Sequence, residues 1–180
     1  MKKALLFALV GGIILFAWQF ISFAMPNLHK ASSEYTPLQE EVLEALENSG
    51  LEEGMYMLGQ PDPSLSGDEY KNGMKPFEGK PWAILNYQAE NSASMTMNMI
   101  RGFIMTMLIS LMFFWVIRQQ KDPTLMKRIF TGLAVGIMGF MFIPYTNFIW
   151  YKEPDIWAYL ADGIVPWIIL GWVGHLMARS

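Results

Sequence analysis

The chain has no cysteine and only two histidines among its 180 residues. Without cysteine there is no disulfide framework, no thiolate metal site and no thiol nucleophile, so any exported part folds without covalent staples. Charge is sparse too: 13 basic and 16 acidic residues leave long stretches with none. A net charge of -3, with the basic residues scattered beside apolar runs, excludes the basic patch of a nucleic-acid-binding protein. No stretch assembles a catalytic constellation. The sequence therefore assigns no catalytic residue, no cofactor and no cysteine, histidine or carboxylate metal site, and the chain reads as non-enzymatic.

What the sequence has instead is apolar length. The hydrophobic fraction is 53% and the mean hydropathy +0.25, concentrated in four runs. Residues 4–24 are uncharged behind Lys2 and Lys3; 95–118, 127–150 and 156–178 are apolar apart from Arg101, the basic residues at their ends and Asp162. At about 1.5 Å per residue each run crosses a hydrocarbon core of roughly 30 Å. The expected fold is mainly α: a membrane four-helix bundle with a small α+β extracytoplasmic insert, residues 26–92, between helices 1 and 2.

Basic residues fix the expected orientation. Lys2 and Lys3, the loop holding Arg118, Lys121, Lys127 and Arg128, and Arg179 all fall on one side of a four-span chain, which the positive-inside rule makes cytoplasmic. Both termini are then cytoplasmic, and the protein is a multi-pass component of a bacterial inner membrane in contact with lipid. The other side receives 12 acids and four lysines between residues 26 and 92, and an aromatic belt of Trp150, Tyr151, Trp157 and Tyr159. Ser22-Phe23-Ala24 offers a signal-peptidase site, but the preceding apolar run exceeds the usual h-region of about 7 to 15 residues, which favours a retained helix.

Within the insert, Thr36-Pro37-Leu38-Gln39 reads as a helix start, with Thr36 as N-cap, Pro37 at N1 and Gln39 closing a capping box, and Gly50 as its stop. Leu38, Val42, Ala45, Leu46 and Ser49 share one face, which needs a covering surface. Met55–Leu58 and Trp82–Tyr87 read as short strands forming a ribbon packed on that helix, separated by a Gly, Pro and Asp rich loop. So few apolar residues make a marginal unit that leans on the spans or on a partner.

Arg101 and Asp162 are the charges well inside the expected spans, and leaving either unpaired at mid-membrane costs about 2.5 to 3.5 kcal/mol on insertion scales. Each lies 17 residues before a cytoplasmic arginine, Arg118 or Arg179, so both sit about 25 Å above that level. Matching depth suggests that Arg101 pairs with Asp162, with Asn98 and Asn147 as polar neighbours; the alternative is that Arg101 snorkels to headgroups. His29 and His175 read as isolated interfacial anchors. Gly132, Gly136 and Gly139, with Gly171 and Gly174 on the last helix, read as close helix packing. Pro144 and Pro166 are expected to bend their helices and open a small outer cleft. Met95, Met97 and Met99 could hold Cu(I), although the methionines continue along the helix as a packing surface would.

Three stretches carry a resemblance. Gly11-Gly12, Trp18, Pro26 and His29 open the chain; Gly54-Met55-Tyr56 follows; Tyr145, Asn147, Trp150, Tyr151 and Pro154 then precede Asp162, Trp167 and Gly171. In these the chain resembles a loosely defined family of small bacterial inner-membrane proteins without an assigned activity, and departs from it in its methionine-rich second helix. The resemblance implies the four-helix topology and singles out Asp162, but implies no reaction. The functional expectation is an accessory subunit or assembly factor of a larger membrane complex, with an integral-membrane protein partner. A small-solute or ion carrier, copper included, is the alternative. An enzyme using Asp162 as acid or base with His29 nearby ranks below both.

Overall fold

A computed structural model describes residues 2–25 and 27–179, the side chains of 178 and 179 excepted. Pro26, one of the residues carrying the resemblance, lies outside the described residues. The chain divides into two compact units: a helical unit formed by Met1–Glu34 and Ala93–Ser180, and a smaller unit, Tyr35–Ser92.

The helical unit holds α1 (Lys2–Ala24), α4 (Met95–Arg118), α5 (Leu125–Phe142), α6 (Pro144–Tyr151) and α7 (Ile156–Arg179). With α5 and α6 taken together, these make four helical segments long and apolar enough to cross a membrane. Polar caps start two of them: Ser94 Oγ accepts from the Met97 amide at 3.3 Å, and Thr124 Oγ1 from the Lys127 amide at 3.2 Å. The third segment is divided at Ile143, because Pro144 cannot donate to the carbonyl four residues back. Pro166 is absorbed inside α7 without breaking it.

Glycines decide how these helices meet. α5 packs along α7 and α1 along α4, while α1 also touches α7 and so joins the two pairs. A Cβ on Gly132 would strike the Trp167 carbonyl oxygen, and one on Gly136 the Gly163 carbonyl oxygen and the Trp167 ring. A Cβ on Gly171 would come within 2.7 Å of the Arg128 carbonyl oxygen. The small-residue pattern thus brings backbone against backbone inside the unit. Gly139, expected in the same stripe, faces open space, and a Cβ there would meet nothing within 4 Å. On the other pair, Gly11 and Gly12 admit Ser110 and Met107 of α4.

Phe7, Leu15, Phe113, Phe114, Ile117 and Leu170 form the buried core, with Phe7 stacked on Phe114 at 4.7 Å. Arg128, expected as a loop charge, is buried on the first turn of α5, where its Nη1 donates to the carbonyls of Gly174 (2.9 Å) and His175 (3.2 Å). A cation near the C-terminal end of α7 also suits the helix dipole.

The smaller unit has α2 (Gln39–Asn48), β1 (Gly54–Leu58), α3 (Gly67–Met74) and β2 (Ala83–Tyr87), with β1 and β2 antiparallel in the register Tyr56 to Leu85. The ribbon matches expectation. The start of α2 does not: Thr36 Oγ1 accepts from the Leu38 amide at 3.2 Å, closing a turn before the helix, and Leu38 occupies the N-cap without a side-chain bond. α3 forms where the sequence predicts a loop, since Gly67 and Gly73 depress its helix propensity. The expected packing of α2 on the ribbon is also missing from its surface: α2 has no buried residue, and Leu38, Val42 and Leu43 are exposed. Met55, Met57 and Ile84, which share one face of the ribbon, are exposed as well.

Candidate functional site

Asp162 lies nearly two turns into α7, and three side chains from α1 and the segment after it converge on its carboxylate. Trp18 Nε1 donates to Oδ1 at 2.8 Å and Ser22 Oγ to the same oxygen at 2.7 Å. Trp18 and Ser22 are four residues apart, which places them one above the other on a single face of α1. His29 supplies the third contact, its Nε2 standing 2.9 Å from Oδ2.

His29 reaches this position because the chain folds back on itself after α1. Asn27 adopts φ 45°, the Leu28 amide donates to the Ser22 carbonyl at 2.8 Å, and Lys30–Ser32 form a 3-10 turn. Ser32 then anchors the segment: its amide and Oγ both donate to Asp155 Oδ2 at 2.8 Å. Asp155 has φ 63°, a left-handed conformation that aspartate tolerates better than most residues. The imidazole lies flat on Phe23, 3.9 Å between ring centroids, with the Tyr159 ring at its edge at 4.5 Å. Only 1% of His29 is exposed, whereas the Asp162 side chain keeps 24%. His29 is therefore a buried partner of Asp162, which corrects its reading as an isolated anchor.

The expected Arg101–Asp162 pair does not form. The buried stripe of α4 runs through Thr106, Ser110, Phe113, Phe114 and Ile117 and continues toward Phe103, whose ring meets Phe16 edge-on at 5.7 Å. Arg101 is off that stripe by about 100° per intervening residue, and its side chain is exposed. Equal depth along two helices fixed the height of both residues but not the direction in which either points. Asn98 is exposed and Asn147 half-buried, and neither bonds Asp162 among the described residues. His175 is buried near the far end of α7.

Beside the carboxylate is a cavity of about 300 Å³ between α1, α4 and α7. Trp18, Phe23, Tyr159 and Trp167 supply aromatic walls, Thr106 a side from α4, and Asp162 the charge. Thr106 Oγ1 is turned to its own helix, donating to the Phe103 carbonyl at 2.8 Å. Pro166, which also lines the cavity, cannot return a helical hydrogen bond to the Asp162 carbonyl.

Met95, Met97 and Met99 are exposed at the start of α4, and among the described residues no group of three His, Asp or Glu side chains could hold a metal ion. Trp18 and Ser22, hydrogen-bonding side chains four apart on a helix whose one other polar side chain beyond its opening lysines is Gln19, are the signal in the sequence that could join α1 to Asp162. No family model, curated protein or solved structure matches the chain, so what the Asp162 site can do rests on its own geometry.

Proposed function

We propose that this chain is a multi-pass protein of a bacterial cytoplasmic membrane, with both termini inside and residues 26–92 outside, that serves as an accessory or assembly subunit of a larger membrane complex. The observation that carries this reading is the exposed apolar surface of the Tyr35–Ser92 unit. Leu38 at the N-cap of α2, Val42 and Leu43 on it, and Met55, Met57 and Ile84 on the ribbon stay open in a unit otherwise rich in acids. Exposed apolar groups gathered on a small unit call for a cover. A surplus of eight negative charges across residues 26–92 disfavours the anionic surface of a bilayer and favours a protein partner with a basic rim.

Large exposed side chains along the long helices, such as Leu5, Phe20, Met112, Phe130 and Trp172, suit contact with lipid tails. Transport is the weaker reading. The clustered side-chain polar contacts of the helical unit lie around Asp162 and around Arg128; between them phenylalanine, leucine and isoleucine dominate the core, and the buried hydroxyls there, Thr106 and Ser110, are spent on carbonyls of their own helix.

Purification of the full chain in mild detergent tests the proposal. The expected result is a complex larger than the monomer that dissociates when Val42 and Leu43 are both changed to Glu, with the fold of the helical unit unaltered. A monodisperse monomer from every mild detergent contradicts it.

A further inference from the structure

The geometry points to the Asp162 cavity as a binding site for an ammonium group, either a small free amine or quaternary amine, or the headgroup of an aminophospholipid. The inference is independent of the partner proposal, because it uses side chains of the helical unit alone.

Two chemical features coincide there. The first is a carboxylate with acceptor capacity left over. An ionised carboxylate offers about four lone-pair positions. Trp18 and Ser22 take two on Oδ1 and His29 takes one on Oδ2, so among the described donors one position on Oδ2 remains. Trp18 and Ser22 also fix the carboxylate in rotation, so the site does not have to order it on binding. The Asp162 main-chain carbonyl, deprived of its helical donor by Pro166, is a second acceptor on the same residue.

The second feature is the walls. Four aromatic residues, Trp18, Phe23, Tyr159 and Trp167, border the cavity, Phe23 with one face already covered by His29; Asp162 is the charged residue among those lining it, and Gln19 and Thr106 are the other polar ones. Aromatic faces attract organic cations through the ring quadrupole and do so most strongly where water is scarce. Apolar walls favour a weakly hydrated alkylammonium over a small inorganic ion, which keeps its water shell. The volume stands at the low end of the roughly 300–1,000 Å³ of ligand pockets, which fits a headgroup-sized cation and excludes a bulky solute.

The test uses the full chain in nanodiscs made of phosphatidylglycerol alone, titrated with radiolabelled tetramethylammonium. Saturable binding that is displaced by ethanolamine and not by equal potassium is expected. Asp162→Asn should weaken it at least tenfold. Because that variant disturbs three hydrogen bonds, Ile109→Phe provides a second probe: it fills the cavity from α4 without touching any partner of Asp162, and should also weaken binding at least tenfold while the helical circular dichroism is unchanged. Repeating the titration in phosphatidylethanolamine nanodiscs separates the two sources. A headgroup occupant lowers the apparent affinity for tetramethylammonium and leaves one aminophospholipid bound in native mass spectra of the parent but not of Ile109→Phe; a free-amine site keeps its affinity. Absence of saturable binding to the folded parent, or undiminished binding in a folded Asp162→Asn or Ile109→Phe variant, overturns the inference.

Discussion

The two units solve the problem of burial in opposite ways. In the helical unit, glycines let α5 and α7 approach until backbone meets backbone, and a phenylalanine-rich core fills the space around α1, α4 and α7. In the Tyr35–Ser92 unit Tyr87 and Pro61 are buried, while neither α2 nor α3 contains a buried residue. One unit has a close-packed interior beneath an exposed apolar exterior; the other has almost no interior at all. Order in the first is set by contact at fixed distance, so it tolerates little, and order in the second is local, held by turns and a two-stranded ladder. A short ribbon of this kind is marginal without a covering surface.

That contrast can be broken most sharply at Asp162. Asp162→Leu leaves the indole of Trp18, the hydroxyl of Ser22 and the imidazole of His29 without their acceptor, and should cost about 3–5 kcal/mol in reversible unfolding from bicelles. A loss below about 1 kcal/mol would mean that the cluster does not hold α1 to α7. Gly136→Ala follows, at about 1–3 kcal/mol, because its Cβ meets the Gly163 carbonyl and backbone cannot yield as a flexible side chain can. Gly139→Ala, three residues on in the same helix and facing open space, should be neutral to stabilising by up to about 1 kcal/mol. Equal effects at the two glycines would remove the packing account.

For the smaller unit the expected effects are local. Hydrogen exchange on the full chain should show amides of α2 and α3 exchanging orders of magnitude faster than those of α1 and α7. Uniform protection would erase the distinction between the units. The smallest effect concerns Asp62. The Ser64 amide donates to Asp62 Oδ1 at 2.8 Å and holds the carboxyl below its ordinary value of 3.8. A depressed folded value means that the turn gains from this bond above the ordinary value and loses it as pH falls through the folded one. Carbon-detected titration of Asp62 should show the low midpoint, and Ser64→Pro, which removes the donor, should return it toward 3.8.

How much was legible follows from what sequence encodes along and around a helix. Run length gives the helix α4 at its observed bounds and the other long helices within a few residues, since apolar length is a one-dimensional property. Rotation was not legible: α1, α4 and α7 are apolar on every side, so no stripe told which face Arg101 or Asp162 would present. The pairing of those two failed for that reason. His29 was missed because its position depends on a reversal at Asn27 and an anchor between Ser32 and Asp155, contacts 123 residues apart in sequence. Glycine spacing predicts packing at Gly132, Gly136 and Gly171, where it is found, and also at Gly139, which is turned off the face that meets α7 although Gly163 of that helix still lies against Phe140.

The proposal that an outside partner covers the smaller unit meets its most direct test in the cell. A photo-reactive phenylalanine analogue placed at Val42 should give one discrete cross-linked adduct on irradiation, and the same analogue at exposed Glu47 should give little. Equal, diffuse labelling from both positions, or no adduct from Val42, would contradict the account.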